Sequence, residues 1–198
     1  MKNHLSEGLL AAALLFGCAA AQADPVTFTA NLSGAAEAPP NASPATGSVT
    51  VVFDIATHYF SIATSFSGLQ GNSAAAHIHC CTASPGAGTA GVATMLPTFT
   101  GFPASVTDGN YSAVFDTSLA SFWNASFINN NGGTTAGAEA ALLAAMGAGT
   151  SYFNLHSSEY PGGEIRGFLA PVPEPRQAVL LLAGLPLLLL RRRRAPGA

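Results

Sequence analysis

Three histidines carry the most pointed chemical signal in this chain: His77 and His79, which bracket Ile78, and His156. On a β-strand, residues two apart share a face, so His77 and His79 would present their imidazoles together and turn Ile78 away. The motif Tyr152-Phe153-Asn154-Leu155-His156 sets Tyr152, Asn154 and His156 on one face in the same manner. Imidazole suits both zinc and copper, and a His-x-His pair joined by a third histidine is the raw material of such a site. The same residues admit a plainer role, in which they hydrogen-bond backbone and neighbours and lock two strands together. Spacing alone does not bring His156 to the pair. Both readings stand, with copper or zinc as cofactor under the first and none under the second.

Cys80 and Cys81 follow the pair directly. They admit a vicinal disulfide that shapes the turn after His79, two free thiols, or soft ligands that supplement the imidazoles. Arg166 is the only lysine or arginine between Asp24 and Ala170, and Glu164 lies two residues before it. On a strand the two share a face, which suggests a structural ion pair or a guanidinium that forks several loop carbonyls; anion binding is the alternative. No nucleophile with a sequence-local base appears, and no glycine-rich phosphate cradle follows a strand. The expectation is therefore a protein that is not an enzyme, with a metal-dependent redox activity as the rival.

The elements that must position these residues are mostly strands. Period-two apolar patterning predicts strands over Val26–Leu32, Ser48–Asp54 and His58–Phe66, the last two joined as a hairpin through Ile55–His58. Further strands are expected at Ala74–His79, Asn110–Phe115, Ser151–His156 and Glu164–Leu169. Thr82–Gly91 and Asn129–Gly133 read as loops. Gly137–Met146 carries Ala138, Leu142, Ala145 and Met146 at helical spacing and ends at Gly147 and Gly149. The fold class expected is mainly β, an antiparallel β-sandwich or Greek-key barrel with one short helix.

Both ends of the chain read as addresses. Residues 1–23 form a signal peptide, with Lys2 and His4 before the apolar Leu9–Phe16 and a small-x-small site at Ala21-Gln22-Ala23. A lipoprotein signal ending at Cys18 is the rival reading. Residues 24–170 are the domain, and residues 171–198 a tail: Pro173-Glu174-Pro175, an apolar run Ala178–Leu190 interrupted by Pro186, then Arg191, Arg192, Arg193 and Arg194. The run is shorter than the roughly 20 residues of a spanning helix, yet it can enter a membrane with the arginines held on the cytoplasmic side. The formal net charge of −3 conceals an acidic domain, because the tail holds most of the basic residues. Eight acids against Arg166 alone exclude nucleic acid as a partner, since phosphate binding needs a basic footprint.

The tail resembles the PEP-CTERM sorting signal of Gram-negative bacteria. That resemblance implies an exosortase-type sorting protease as partner and the cell envelope or extracellular matrix as destination, with membrane attachment before processing. Arg176 and Pro186 depart from its usual small or apolar residues. The domain resembles the CHRD family through Ala76-His77-Ile78-His79, Ala141-Leu142-Leu143, Tyr152–His156 and Gly162-Gly163-Glu164-Ile165-Arg166-Gly167. Cys80-Cys81 stands where that family often has Gly-Pro. The resemblance implies a β-rich exported module, in which Asn154, Glu164 and Arg166 are structural motif positions. It leaves the partner open between exopolysaccharide, another envelope or secreted protein, and a secreted protein held as by an inhibitor.

Overall fold

The computed structural model describes residues 24–173. The signal peptide expected over residues 1–23 lies outside the described residues, as do Glu174, Pro175, Arg191, Arg192, Arg193 and Arg194. Among the described residues no helix is long and apolar enough to cross a membrane.

The described residues hold eight strands and two α-helices. The strands are β1 (Val26–Ser33), β2 (Thr46–Asp54), β3 (Tyr59–Ser67), β4 (Ser73–Cys80), β5 (Gly109–Asp116), β6 (Ser151–Ser157), β7 (Ile165–Phe168) and the two-residue β8 (Ala170–Pro171); the helices are α1 (Ala125–Asn130) and α2 (Thr135–Ala148). All the strands join one antiparallel sheet in the order β4-β6-β7-β1-β2-β3-β5, with β8 added to β1. The sheet curls into a half-barrel, a mainly β architecture of the sandwich and barrel kind that the patterning predicts.

Burial explains the pairing. Val49, Val51 and Phe53 of β2 and Phe60 and Ile62 of β3 alternate with more exposed neighbours, and all five are almost wholly buried. Register in this hairpin pairs Val51 with Ile62 and Phe53 with Phe60. The Phe53 and Phe60 rings meet edge to face at 5.3 Å, and Phe60 touches Phe122 at 4.9 Å. The turn at 55–58 closes with His58 at φ 57. The curl holds α2 against it by Ala138, Leu142, Ala145 and Met146, the four residues at helical spacing.

Two local features escape the sequence patterning. Helix α2 passes through Gly147 and ends at Gly149, whose left-handed φ of 68 closes it. Helix α1 has no counterpart among the expected elements. Its six residues are too short to show a period, but Asn124 is its N-cap and accepts from the Ser126 N–H at 3.0 Å.

Strands β4 and β6, like β7 beside them, are covered on both faces. Ala76, Ile78, Phe153 and Leu155 point into the apolar core with no exposure above 1 %. On the opposite face His77, His79, Tyr152 and Asn154 are buried too, under loops that cross the outside of the sheet. This second, polar layer is where the candidate chemistry collects.

Candidate metal centre

The antiparallel register between β4 and β6 pairs His77 with Asn154, His79 with Tyr152 and Ala75 with His156. One step further, Asn154 pairs with Arg166 and Tyr152 with Phe168 of β7. Two rows of side chains therefore run across three strands on one face. His156, diagonal to His77, completes the group.

The three imidazoles surround one point. Their centroids lie 5.3 Å apart for His77–His156, 5.8 Å for His79–His156 and 5.9 Å for His77–His79. One ring nitrogen from each falls within 4.8 Å of the other two. A tetrahedral zinc with bonds of about 2.0–2.1 Å would hold its nitrogens about 3.4 Å apart, so an inward shift of a fraction of an ångström per ring closes the site.

Hydrogen bonding settles which nitrogen of each ring is left free to take a ligand. His77 Nε2 lies 2.6 Å from the Pro97 carbonyl, His79 Nδ1 3.0 Å from that of Ala90, and His156 Nδ1 2.9 Å from that of Pro161. A carbonyl oxygen can only accept, so each of these nitrogens carries the proton and donates. The remaining nitrogens, His77 Nδ1, His79 Nε2 and His156 Nε2, are buried and have no hydrogen-bond partner. In a neutral ring each is a bare lone pair. Buried polar atoms are nearly always paired, and three orphans in one group make an unusual concentration. Fixing the tautomer of a ligating histidine through its other nitrogen is what the outer shell of a metal site does.

Electrostatics keeps the rings neutral. Burial pulls His79 down to about 4, against the Ala90 hydrogen bond, and neighbouring positive groups push the same way. Burial also lowers His77 and His156. Neutral imidazole is the form that binds a metal. The residues present thus fit a copper or zinc ion by donor type, tautomer and protonation state.

The supports are aromatic and cationic. The rings of His79 and Tyr152 stack at 4.9 Å with 5° between their planes, and the Tyr152 hydroxyl takes the Ala90 N–H at 3.2 Å. Arg166 lies over Tyr152 at 4.7 Å and Phe168 at 5.4 Å. It donates from Nε to the Ala36 carbonyl and from Nη1 to that of Gly88 at 3.0 Å. Loop 81–91 therefore reaches the site twice, through Gly88 and Ala90. Where that loop leaves β4, Cys80 and Cys81 are joined in a vicinal disulfide, Cα atoms 3.0 Å apart. Cys80 alternates with His79 and is directed away from the imidazoles.

The shared face expected for Glu164 and Arg166 does not form. Strand β7 begins at Ile165, and Glu164, just outside it, turns to accept from the Ser43 hydroxyl at 2.6 Å and the Gln70 N–H at 2.6 Å. Burial would raise its carboxyl, but hydrogen bonds led by Ser157 and Ser43 hold it below the usual range. The carboxylate beside Arg166 is instead Glu37, 3.8 Å from Nε and supplied by the loop after β1. Burial raises Glu37 to about 7 even against the guanidinium. Glu37 was invisible to motif reading, as were the carbonyls of Pro97, Ala90 and Pro161: a backbone acceptor has no residue signature.

Comparison with known proteins adds one match. A family model described as CHRD domain covers residues 28–169, which takes in both helices, β2 to β7 and all three histidines. No curated protein and no solved structure matches the chain.

Proposed function

The chain belongs to the CHRD-domain family, and on that basis we propose that it is an exported, envelope- or matrix-associated domain that binds rather than catalyses. Its ligand is a copper or zinc ion held by His77, His79 and His156. One observation carries the reading: three converging ring nitrogens are buried with no hydrogen-bond partner, while the opposite nitrogen of every ring is pinned to a carbonyl. A purely structural histidine network would be expected to satisfy both nitrogens of a buried ring.

The ends of the chain supply the setting. The signal peptide exports the domain, and an exosortase-type protease sorts it through the Pro173-Glu174-Pro175 tail, which holds it at the membrane until processing. Exopolysaccharide or another envelope protein is then its neighbour. With Arg166 as its one basic residue, the domain offers nucleic acid nothing to bind.

When bound, the ion supplies a buried positive charge and a coordination position open beyond the three histidines. Around it the chain's own residues do identifiable work. The three carbonyls orient the rings, Tyr152 covers the face of His79, and β4 and β6 fix the spacing through their register. Elemental analysis of the secreted protein tests this. About one equivalent of copper or zinc, lost in the His77→Ala/His79→Ala double variant, is the expected result; a folded, metal-free wild type that takes up neither ion would overturn it.

A further inference from the structure

The donor set decides what charge the bound ion should carry. The three free nitrogens belong to neutral rings: each ring uses one N–H on a carbonyl oxygen, that of Pro97, Ala90 or Pro161, and its other nitrogen is buried with no acceptor for a second proton. The outer shell is therefore neutral as well. In a carboxylate–histidine–zinc arrangement the acid behind the ring adds negative charge to the ligand. Here no carboxylate backs a ring: Glu164 accepts from Ser43 and Gln70, and Glu37 lies 3.8 Å from Arg166 Nε. Among the described residues the ligand group is histidine alone.

The fixed charge across the aromatic layer is positive. Arg166 sits 4.7 Å from the centre of Tyr152, and Tyr152 stacks on His79 at 4.9 Å, so the guanidinium is within about 10 Å of that imidazole. At that range and an effective dielectric near 20, each positive charge on the ion loses roughly tenfold in affinity. Glu37 at 3.8 Å offsets part of this field. Burial weighs more heavily still. The cost of taking an ion out of water grows with the square of its charge, so a monocation costs about a quarter of what a dication does. The ring centroids, 5.3, 5.8 and 5.9 Å apart, form a nearly equilateral triangle, which suits an ion content with three ligands.

Building on the metal-binding reading, we infer that His77, His79 and His156 form a three-coordinate Cu(I) site that discriminates against Zn(II) and Cu(II). Neutral donors, a neutral outer shell and a nearby cation all favour the ion of lower charge. Zinc, with the same imidazoles, would have to recruit an anion to the open position.

The test titrates the purified full chain with Cu(I), kept reduced by ascorbate, against a bicinchoninate-type chelator, and with Zn(II) against a zinc-chelating dye. Cu(I) is expected to bind on the order of 100-fold more tightly than Zn(II). Protein loaded with Cu(II) should lose its paramagnetic resonance signal on adding ascorbate, one electron per copper, and keep the metal through gel filtration. His156→Asp places a carboxylate among the ligands and should narrow the Cu(I)/Zn(II) ratio by roughly tenfold or more. Zinc bound as tightly as Cu(I), or a ratio unmoved by His156→Asp, would overturn the Cu(I) assignment and leave metal binding standing. A folded protein that binds none of the three ions would overturn both.

Discussion

The ring of His79 lies flat on that of Tyr152, 4.9 Å apart and 5° from parallel, because the two residues are register partners across β4 and β6. The stack couples the sheet to the site. Tyr152 also holds loop 81–91 through the Ala90 N–H, and Ala90 in turn fixes the His79 tautomer. Tyr152→Phe keeps the stack and loses the hydroxyl, and should cost about 0.5–1.5 kcal/mol. Tyr152→Ala removes the ring and should cost about 3–5 kcal/mol. Urea unfolding of both variants checks the order; equal losses would mean that the stack contributes nothing beyond the hydroxyl.

Arg166→Ala should destabilise the domain by about 1–3 kcal/mol, since it strips the carbonyls of Ala36 and Gly88 of their donor. Glu37, which burial raises to about 7 even beside the guanidinium, is then left neutral near pH 7 rather than as an orphaned charge. A melting temperature unchanged by Arg166→Ala would sink the structural role.

Gly163 is buried with φ 131, and a Cβ there would come within 2.5 Å of Asn154 Nδ2 and 2.8 Å of Glu37 Oε1. Gly163→Ala is therefore strained by both backbone and contact, and should cost about 1–3 kcal/mol. Gly162, where an added Cβ meets nothing within 4 Å, is the control. Thermal melts of the two alanine variants should separate clearly.

Acid should weaken the metal-free protein through the histidines. A folded pKa below the unfolded value near 6.5 means that the unfolded chain takes up protons first as pH falls. The stability held by neutral His79 is thus complete above about 6.5 and is lost as pH falls toward about 4, with His77 and His156 adding in the same direction. Urea midpoints should drop across that window, less steeply in His79→Gln, and bound metal should defer the drop.

His58 runs the other way. Its Nδ1 meets the buried Glu139 at 2.8 Å, a carboxylate that also takes the Thr117 hydroxyl. Glu139 raises the pKa of His58 by hydrogen bond and charge, so this contact stabilises fully below about 6.5 and is lost as pH rises through the raised value. His58→Gln should lower the melting temperature at pH 6 and change it little at pH 9. The same loss at both would show that the contact does not depend on charge.

Much of the fold was legible where burial is one-sided. Val49, Val51 and Phe53 alternate in the sequence because one face of β2 meets the core, and the helix over Thr135–Ala148 shows its buried stripe for the same reason. Helix α1 stayed hidden because six residues cannot display a period of 3.6. Of the two roles open to Arg166, the fork onto loop carbonyls formed and the pair with Glu164 did not, because β7 begins only at Ile165.

Residue order alone set which side chains could share a face: His77 with His79, and Tyr152 and Asn154 with His156. Those pairings follow from the period of two and need no partner strand. That the two faces are one came from the packing of the folded chain. Seventy residues, 81–150, separate β4 from β6 in the chain, and their register is set by how Ile78 and Phe153 pack in the core. The same holds for the lone pairs. Residue types told that three imidazoles were present, but the carbonyls of Pro97, Ala90 and Pro161, brought in by three separate loops, chose which nitrogen of each ring was left free.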